Sequence, residues 1–362
     1  MHIFNTETAP RLFPAAPALF LQRIIASSLE TPHLLYALLA SACSHHSRLV
    51  QDTGPKSKLS CLRFTNLSIS SLRSALSETD ATLTAETVTT AMALCTNDVC
   101  NGNMQTWRTH LGGVMRLLGS FLDTQGTPRI ADPYIQCLVK WFITMDVLAG
   151  LSGSSTSGVM SSDTELLDRS FDLLNPHVDD ICGYSLKLAP LLTRLSQLVL
   201  QRQCHTEPRM QQDILAEART LEIEILSLVE CSVSGGDSLE LRSTHLAFVH
   251  SALLHLHRRV QTLPRNHETV KEDIREVIAA VEDIPPFSSA NILILWPMFS
   301  VGCETNDTKE RKFIHNRMGD MQSLGMGNFT RARELLSKFW ASKTSLSWDT
   351  YFSNLELELV LF

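Results

Sequence analysis

Nine cysteines, thirteen histidines and several close-set acids are the residues of this 362-residue chain that could hold a metal or move a proton. The thiols are Cys43, Cys61, Cys95, Cys100, Cys137, Cys182, Cys204, Cys231 and Cys303. Thiolate zinc sites draw their ligands from two close-set pairs. Here the nearest two, Cys95 and Cys100, stand five apart with no second pair close by, so no metal is expected. Dispersed thiols in odd number suit buried free cysteines of a reducing compartment, cytosol or nucleus. His245, His250, His255 and His257 share one predicted helix, but their steps do not gather on one face. His250 and His257 lie two turns apart, which leaves surface or packing roles. His267 opens HETVK, which lacks the second histidine of a zinc-protease helix. Glu222 with Glu224 and Asp179 with Asp180 read as solvated pairs. GMGNFT from Gly325 is a partial dinucleotide fingerprint, without its third glycine and after a helix instead of a strand. No GxSxG elbow, phosphate-cradling lysine loop or EF-hand pattern occurs. Catalysis, a cofactor and a metal are therefore not expected.

Bulk composition narrows the class further. Hydrophobic residues make up 44% and charged residues 19%, the balance of a globular chain with many buried helices. The net charge of −7 argues against direct DNA binding, which depends on Lys and Arg replacing counterions on phosphates. Lys309, Arg311, Lys312 and Arg317, and the pair Arg258 and Arg259, read as solvated helix faces. The apolar run from Leu12 to Leu29 carries Pro14, Pro17, Gln22 and Arg23 and has no preceding basic cluster, unlike an export signal. No uninterrupted apolar run reaches the roughly 18 residues that span a bilayer, so no membrane role is expected.

Apolar periodicity predicts an all-α chain, a multi-helical array of packed antiparallel helices in one body or two packed halves. Pro32 suits a first helical turn before Leu34, Leu35, Leu38, Leu39 and Ala42, and the next helix carries Leu62, Ile69, Leu72 and Leu76. Thr84 or a neighbour caps a helix with Val88, Met92 and Cys95. The helix with Leu138, Trp141, Phe142, Met145 and Leu148 should be deeply buried. Residues 150–162, GLSGSSTSGVMSS, form a flexible lid or linker and a candidate boundary between halves 1–149 and 185–362. Downstream, two helical faces centred on Leu195 and Leu221 precede a helix from Leu239 to Val260 and another carrying Val270 to Val281. Pro297 should kink or restart a helix. The tail Leu355–Leu361 reads as a helix end or an ordered tail.

Three landmarks stand out. WRTHLGGVMRLL begins at Trp107, after a Thr-rich apolar helix ending LCTNDVCNGN; LILWPMFSVGCET lies near the other end; and HLLYALLASACSHHSRL begins at His33. Gly112 and Gly113 sit inside the first, where an interior glycine costs about 1 kcal/mol against alanine, so close approach of a neighbouring helix is expected. Together these segments resemble the larger fungal-specific transcription factor regulatory domains, helical modules found downstream of a binuclear zinc cluster, from about Asn5 to the C-terminus. The six paired thiolates of such a cluster are not in this sequence. Met1 falls almost on the first residues of the resembling region, which predicts either a truncated chain or a naturally headless relative that pairs with a complete zinc-cluster regulator.

The resemblance implies a nuclear transcriptional regulator. Its partners would be proteins of the transcription machinery or a complete regulator, and it would contact DNA only indirectly. Dimerisation is compatible with this reading, as is a small apolar ligand held between helices. Trp107, His110, Trp141, Trp296 and Phe299 are the residues expected to line or support such a cleft; Trp107, Arg108 and His110 also form a candidate partner surface. The rival readings are a helical enzyme, for which Asp179 and Asp180 lack the third acid of a metal-binding run, and a helical scaffold, for which no fixed repeat period appears.

Overall fold

Helix starts follow capping chemistry written into the chain. Pro32, Pro133 and Pro208 each occupy a first helical turn, where the missing N–H has no intrahelical partner to lose. Thr84 accepts from the Thr87 amide, Asp132 from that of Tyr134, and Asp307 from those of Lys309 and Glu310. The computed structural model describes the chain apart from residues 53, 78–82, 103–106, 125–130, 153–176, 234–237, 356, 358, 360 and 362.

Among the described residues the helices are α1 (Ala9–Leu12, preceded by a π turn over Phe4–Thr8), α2 (Ala18–Glu30), α3 (Pro32–Leu49), α4 (Pro55–Ser77), α5 (Ala85–Cys100), α6 (Trp107–Thr124) and α7 (Pro133–Leu151). There follow α8 (Leu188–Cys204), α9 (Pro208–Leu226), α10 (Leu239–His255, continued by a π turn over Leu256–Val260), α11 (Glu268–Glu282), α12 (Leu295–Glu304), α13 (Thr308–Gln322), α14 (Gly327–Ser342) and α15 (Trp348–Asn354). Two strands of two residues, β1 (His177–Val178) and β2 (Ser232–Val233), pair in parallel. The protein is all-α, as its periodicity predicts.

Helix α3 packs between α4 and α5, α6 lies on α5, and α7 meets α2, α5, α6 and α8. In the C-terminal part α10 packs on α11 and α12, while α14 touches α12, α13 and, across the molecule, α5. One continuous apolar core runs through all of it. Helix α7 is long and apolar enough to cross a membrane by length and composition, but 78% of its most apolar window is buried inside the protein. It is the deeply buried element that its sequence predicts.

Pro297 falls in the first turn of α12, directly after a 3-10 turn over Ser289–Ile294, so it restarts a helix. In the tail, the described residues Leu359 and Leu361 are buried against the core. The proposed boundary over residues 150–162 lies, beyond Ser152, outside the described residues.

The glycines of α6 depart from expectation. A Cβ at Gly112 or Gly113 would meet nothing within 4 Å, so among the described residues no neighbouring helix approaches there. Close approach occurs instead at Gly302 on α12, where a Cβ would come within 2.5 Å of Leu336 on α14. Helix α4 also departs from a simple apolar stripe: Leu62, Ile69 and Leu76 face solvent, and Leu72 alone of the four leans on the core.

Candidate functional site

The last turn of α3 meets the α13–α14 connection, and that meeting point joins the N-terminal to the C-terminal helices. Gly325 takes φ +79°, a conformation open to glycine at no steric cost, and a Cβ there would come within 2.9 Å of His45 and Leu49. Gly327 presses on the end of α5, where a Cβ would stand 2.8 Å from the Cys100 carbonyl. The GMG segment is thus a docking device: Gly325 lets it sit against the His45 and Leu49 side chains, and Gly327 lets it touch the backbone at the end of α5.

Hydrogen bonds fix the same junction. His45 Nε2 lies 2.9 Å from the Leu324 carbonyl, and its Nδ1 lies 3.1 Å from the Thr8 hydroxyl. A carbonyl can only accept, so the proton sits on Nε2 and the threonine donates to Nδ1. Burial pushes the His45 pKa down to about 4, which keeps the ring neutral near pH 7. Arg48 Nε donates to the Gly325 carbonyl at 2.5 Å and Nη1 to the side chain of Asn101. Among the described residues no carboxylate forms an ion pair with Arg48.

Three cavities converge here. An open polar cleft of about 830 Å³ is lined by Arg48, Asp52, Lys58, Cys61, Asn101 and Met326, among others. An apolar cavity of about 80 Å³ lies deeper, walled by Phe13, Trp141, Met145, Ile181, Phe248 and Met326. Between them a space of about 10 Å³ touches Thr8, His45, Arg48, Cys100 and Met326. Met326 stands in the wall of all three. Its unbranched, adaptable side chain separates the charged cleft from the apolar interior. On the cleft wall Cys61 Sγ lies 3.1 Å from Cys43 Sγ, and burial pushes the Cys43 thiol up to about 12, which keeps it protonated.

Asp179 holds the far wall of the apolar cavity. It is buried, not solvated: Lys140 Nζ lies 2.5 Å from it, and the amides of Ile181 and Cys182 donate to it at 2.8 and 3.1 Å. Lys309 and Lys312 are exposed, as expected of a solvated face, but several other acids and bases of that reading are engaged. Glu222 faces His257 at 3.3 Å, and Glu224 pairs with Arg194 at 2.5 Å. Arg258 pairs with Glu304, Arg259 with Asp349, and Arg317 is buried with its guanidinium on the carbonyls of Val281 and Ile284. Their carboxylate and carbonyl partners lie far along the chain, beyond the reach of local charge patterning. Burial opposes charge on His257, yet Asp273 at 2.6 Å and Glu222 hold its pKa above the ordinary value.

Ser300 and His255 sit 2.8 Å apart, a nucleophile–base distance. Both are buried, and neither lines any of the cavities above. Burial and the Arg259 charge depress the His255 pKa well below its ordinary value, the opposite of the carboxylate support that such a base receives in a triad. Among the described residues no group of three or more His, Cys, Asp or Glu side chains is placed to hold a metal ion.

Residues 1–362 match the family model described as fungal specific transcription factor domain. The chain belongs to that family. No curated protein and no solved structure matches it. The family is one of transcription factor domains and not an enzyme family, and it makes the chain a transcriptional regulator.

Two stretches belonging to the fungal-domain resemblance meet at the junction, while no residue of WRTHLGGVMRLL lines its cavities. HHSRL ends α3 with His45 and Arg48, and LCTNDVCNGN ends α5 with Cys100 and Asn101. The five residues expected around a cleft are distributed more widely. Trp141 lines the apolar cavity and meets Phe13 edge-on at 4.7 Å. Trp296 stacks on Phe248 at 5.5 Å, and Phe299 meets Trp348 edge-on at 6.1 Å, in one buried aromatic column behind that cavity. Trp107 is buried at the start of α6, its carbonyl 3.5 Å from Cys95 Sγ, with Arg108 over its ring. His110 is partly exposed beside Asp98 at 2.9 Å, and that hydrogen bond raises its pKa. Sequence reasoning missed Arg48 and Met326. The unusual GMG spacing was the signal for the second.

Proposed function

We propose that this transcription factor domain is the regulatory region of a zinc-cluster-type regulator. In this reading it works in the nucleus, reaches DNA only through another domain or a partner, and responds to a small ligand at the junction of its halves. The apolar body of the ligand occupies the cavity beside Trp141 and Phe248, and a polar or anionic end faces Arg48. The observation that carries this reading is the position of Met326, one side chain in the wall of all three spaces and fixed between two tightly held glycines. A ligand can shift an equilibrium between two packings only by its differential affinity for them. A 100-fold preference is worth about 2.7 kcal/mol, enough to reset a marginal balance.

The test is a reporter driven by the chain fused to a heterologous DNA-binding domain. Met326→Trp, which fills the passage, should change transcriptional output while the fusion keeps its helical circular dichroism and abundance. Unchanged output from a folded Met326→Trp fusion would count against the reading.

A further inference from the structure

Helix α4 carries apolar side chains on both its faces. Its covered side holds Leu72 against the core together with half-buried Phe64, Cys61, Thr65 and Ala75, and Ser68 alone of its residues is fully buried, donating to the His33 carbonyl at 2.7 Å. Four of its large aliphatic residues point outward: Leu59 is 68% exposed, Leu62 60%, Ile69 38% and Leu76 40%. Isolated exposed leucines are ordinary, but a row of them along one helix marks a contact surface.

The row has a period. Leu59, Leu62, Asn66, Ile69, Arg73 and Leu76 follow one another at steps of three and four, the a and d positions of a heptad seam, with the polar pair Asn66 and Arg73 both at a. Lys58 and Arg63 flank it at g and e. The helix carries Lys56, Lys58, Arg63 and Arg73 and no acid, and among the described residues none of these four forms an ion pair. The flanking charges of such a seam select its partner. Two copies of α4 would set like charges against each other in either orientation. A lipid surface fits less well, because Asn66 and Arg73 interrupt a stripe that lipid insertion needs broad and apolar, and the chain's net charge of −7 opposes approach to anionic membranes.

We infer that the outer face of α4 docks an acidic amphipathic helix of another polypeptide, with large aliphatic residues at its a and d positions and Glu or Asp at e and g. This goes beyond the ligand-responsive reading and rests on different residues. Leu62 and Lys58 also line the junction cleft, so the test places its substitutions at Ile69, Leu76 and Arg63.

The experiment is fluorescence anisotropy of a labelled four-heptad peptide with Leu at a and d and Glu at e and g, titrated with the intact chain. Saturable binding that weakens with salt is expected. It should fall at least tenfold with Ile69→Glu/Leu76→Glu and with Arg63→Glu, whose exposed positions leave helical content unchanged. Absence of binding by the wild-type chain, or equal binding by the Ile69→Glu/Leu76→Glu variant, would overturn the inference. So would a wild-type chain whose outer α4 residues instead drive sedimentation with phosphatidylserine vesicles or doubling of its own mass.

Discussion

Helices α7 and α4 share a length near twenty residues and a generous supply of aliphatic side chains, yet fourteen of the nineteen residues of α7 are buried against one of the 23 in α4. The difference lies in how many helices surround each one: α7 meets α2, α5, α6 and α8, whereas α4 meets chiefly α3. Helix α7 carries Leu138, Phe142, Met145 and Leu148 on several sides and is enclosed from all of them. Helix α4 is covered on one side, by α3 and in part by α5, where Leu72 leans on the core, and Leu59, Leu62, Ile69 and Leu76 are left facing out. Total apolarity therefore reports how much surface seeks burial, while the helices packed around an element decide whether the protein itself supplies the cover.

The largest expected effect sharpens this contrast directly. Phe142→Ala in α7 should cost about 3–5 kcal/mol of unfolding free energy, whereas Ile69→Ala in α4 should stay within about 0.5 kcal/mol. Urea unfolding of both variants measures the difference; equal losses would erase the distinction.

Next in size is the junction, buried like α7 but polar. The His45 pKa is held at about 4 in the folded chain against 6.5 for a free ring. Above pH 6.5 both states are neutral and stability is complete; between 6.5 and about 4 the unfolded chain takes up the proton and stability falls as pH falls. The full swing is about 3 kcal/mol. His45→Gln should remove that share of the pH dependence, so the stability gap between variant and wild type should narrow from pH 7 to pH 4.5. A constant gap would show that His45 titrates normally.

Glycines give the smaller pair of effects. Gly327→Ala drives a Cβ into the Cys100 carbonyl and should destabilise by about 1–3 kcal/mol. Gly112→Ala meets open space inside a helix and should stabilise by about 0.4–1 kcal/mol. Thermal unfolding separates them by sign, and a destabilised Gly112→Ala would restore the close helix approach first expected of α6.

Local chemistry made much of this fold legible. Thr84, Pro32 and Pro297 act within one turn of their own position, and the stripe of α7 repeats at three and four residues, so both were readable from the chain. The junction was not. His45 reaches Leu324 across 279 residues and Arg48 reaches Gly325 across 277, separations at which no spacing rule operates. GMG was set aside as a failed nucleotide fingerprint because its real partner is the end of α5. Asp179 was misread for a similar reason, since Lys140, which compensates its burial, belongs to a helix on the other side of residues 153–176. Helix α4 misled in another way: Leu62, Ile69 and Leu76 have core-like spacing, but Leu72 and Phe64 supply apolar bulk on the other side, and which side is in depends on where α3 packs.

Native mass spectrometry of the chain purified from fungal cells under non-denaturing conditions tests the central claim, a ligand-responsive junction, most directly. The account predicts a bound small molecule on the wild-type chain that is absent from a folded Met326→Trp variant. A wild-type chain that carries no small molecule, or a Met326→Trp variant that retains the same one, would contradict it.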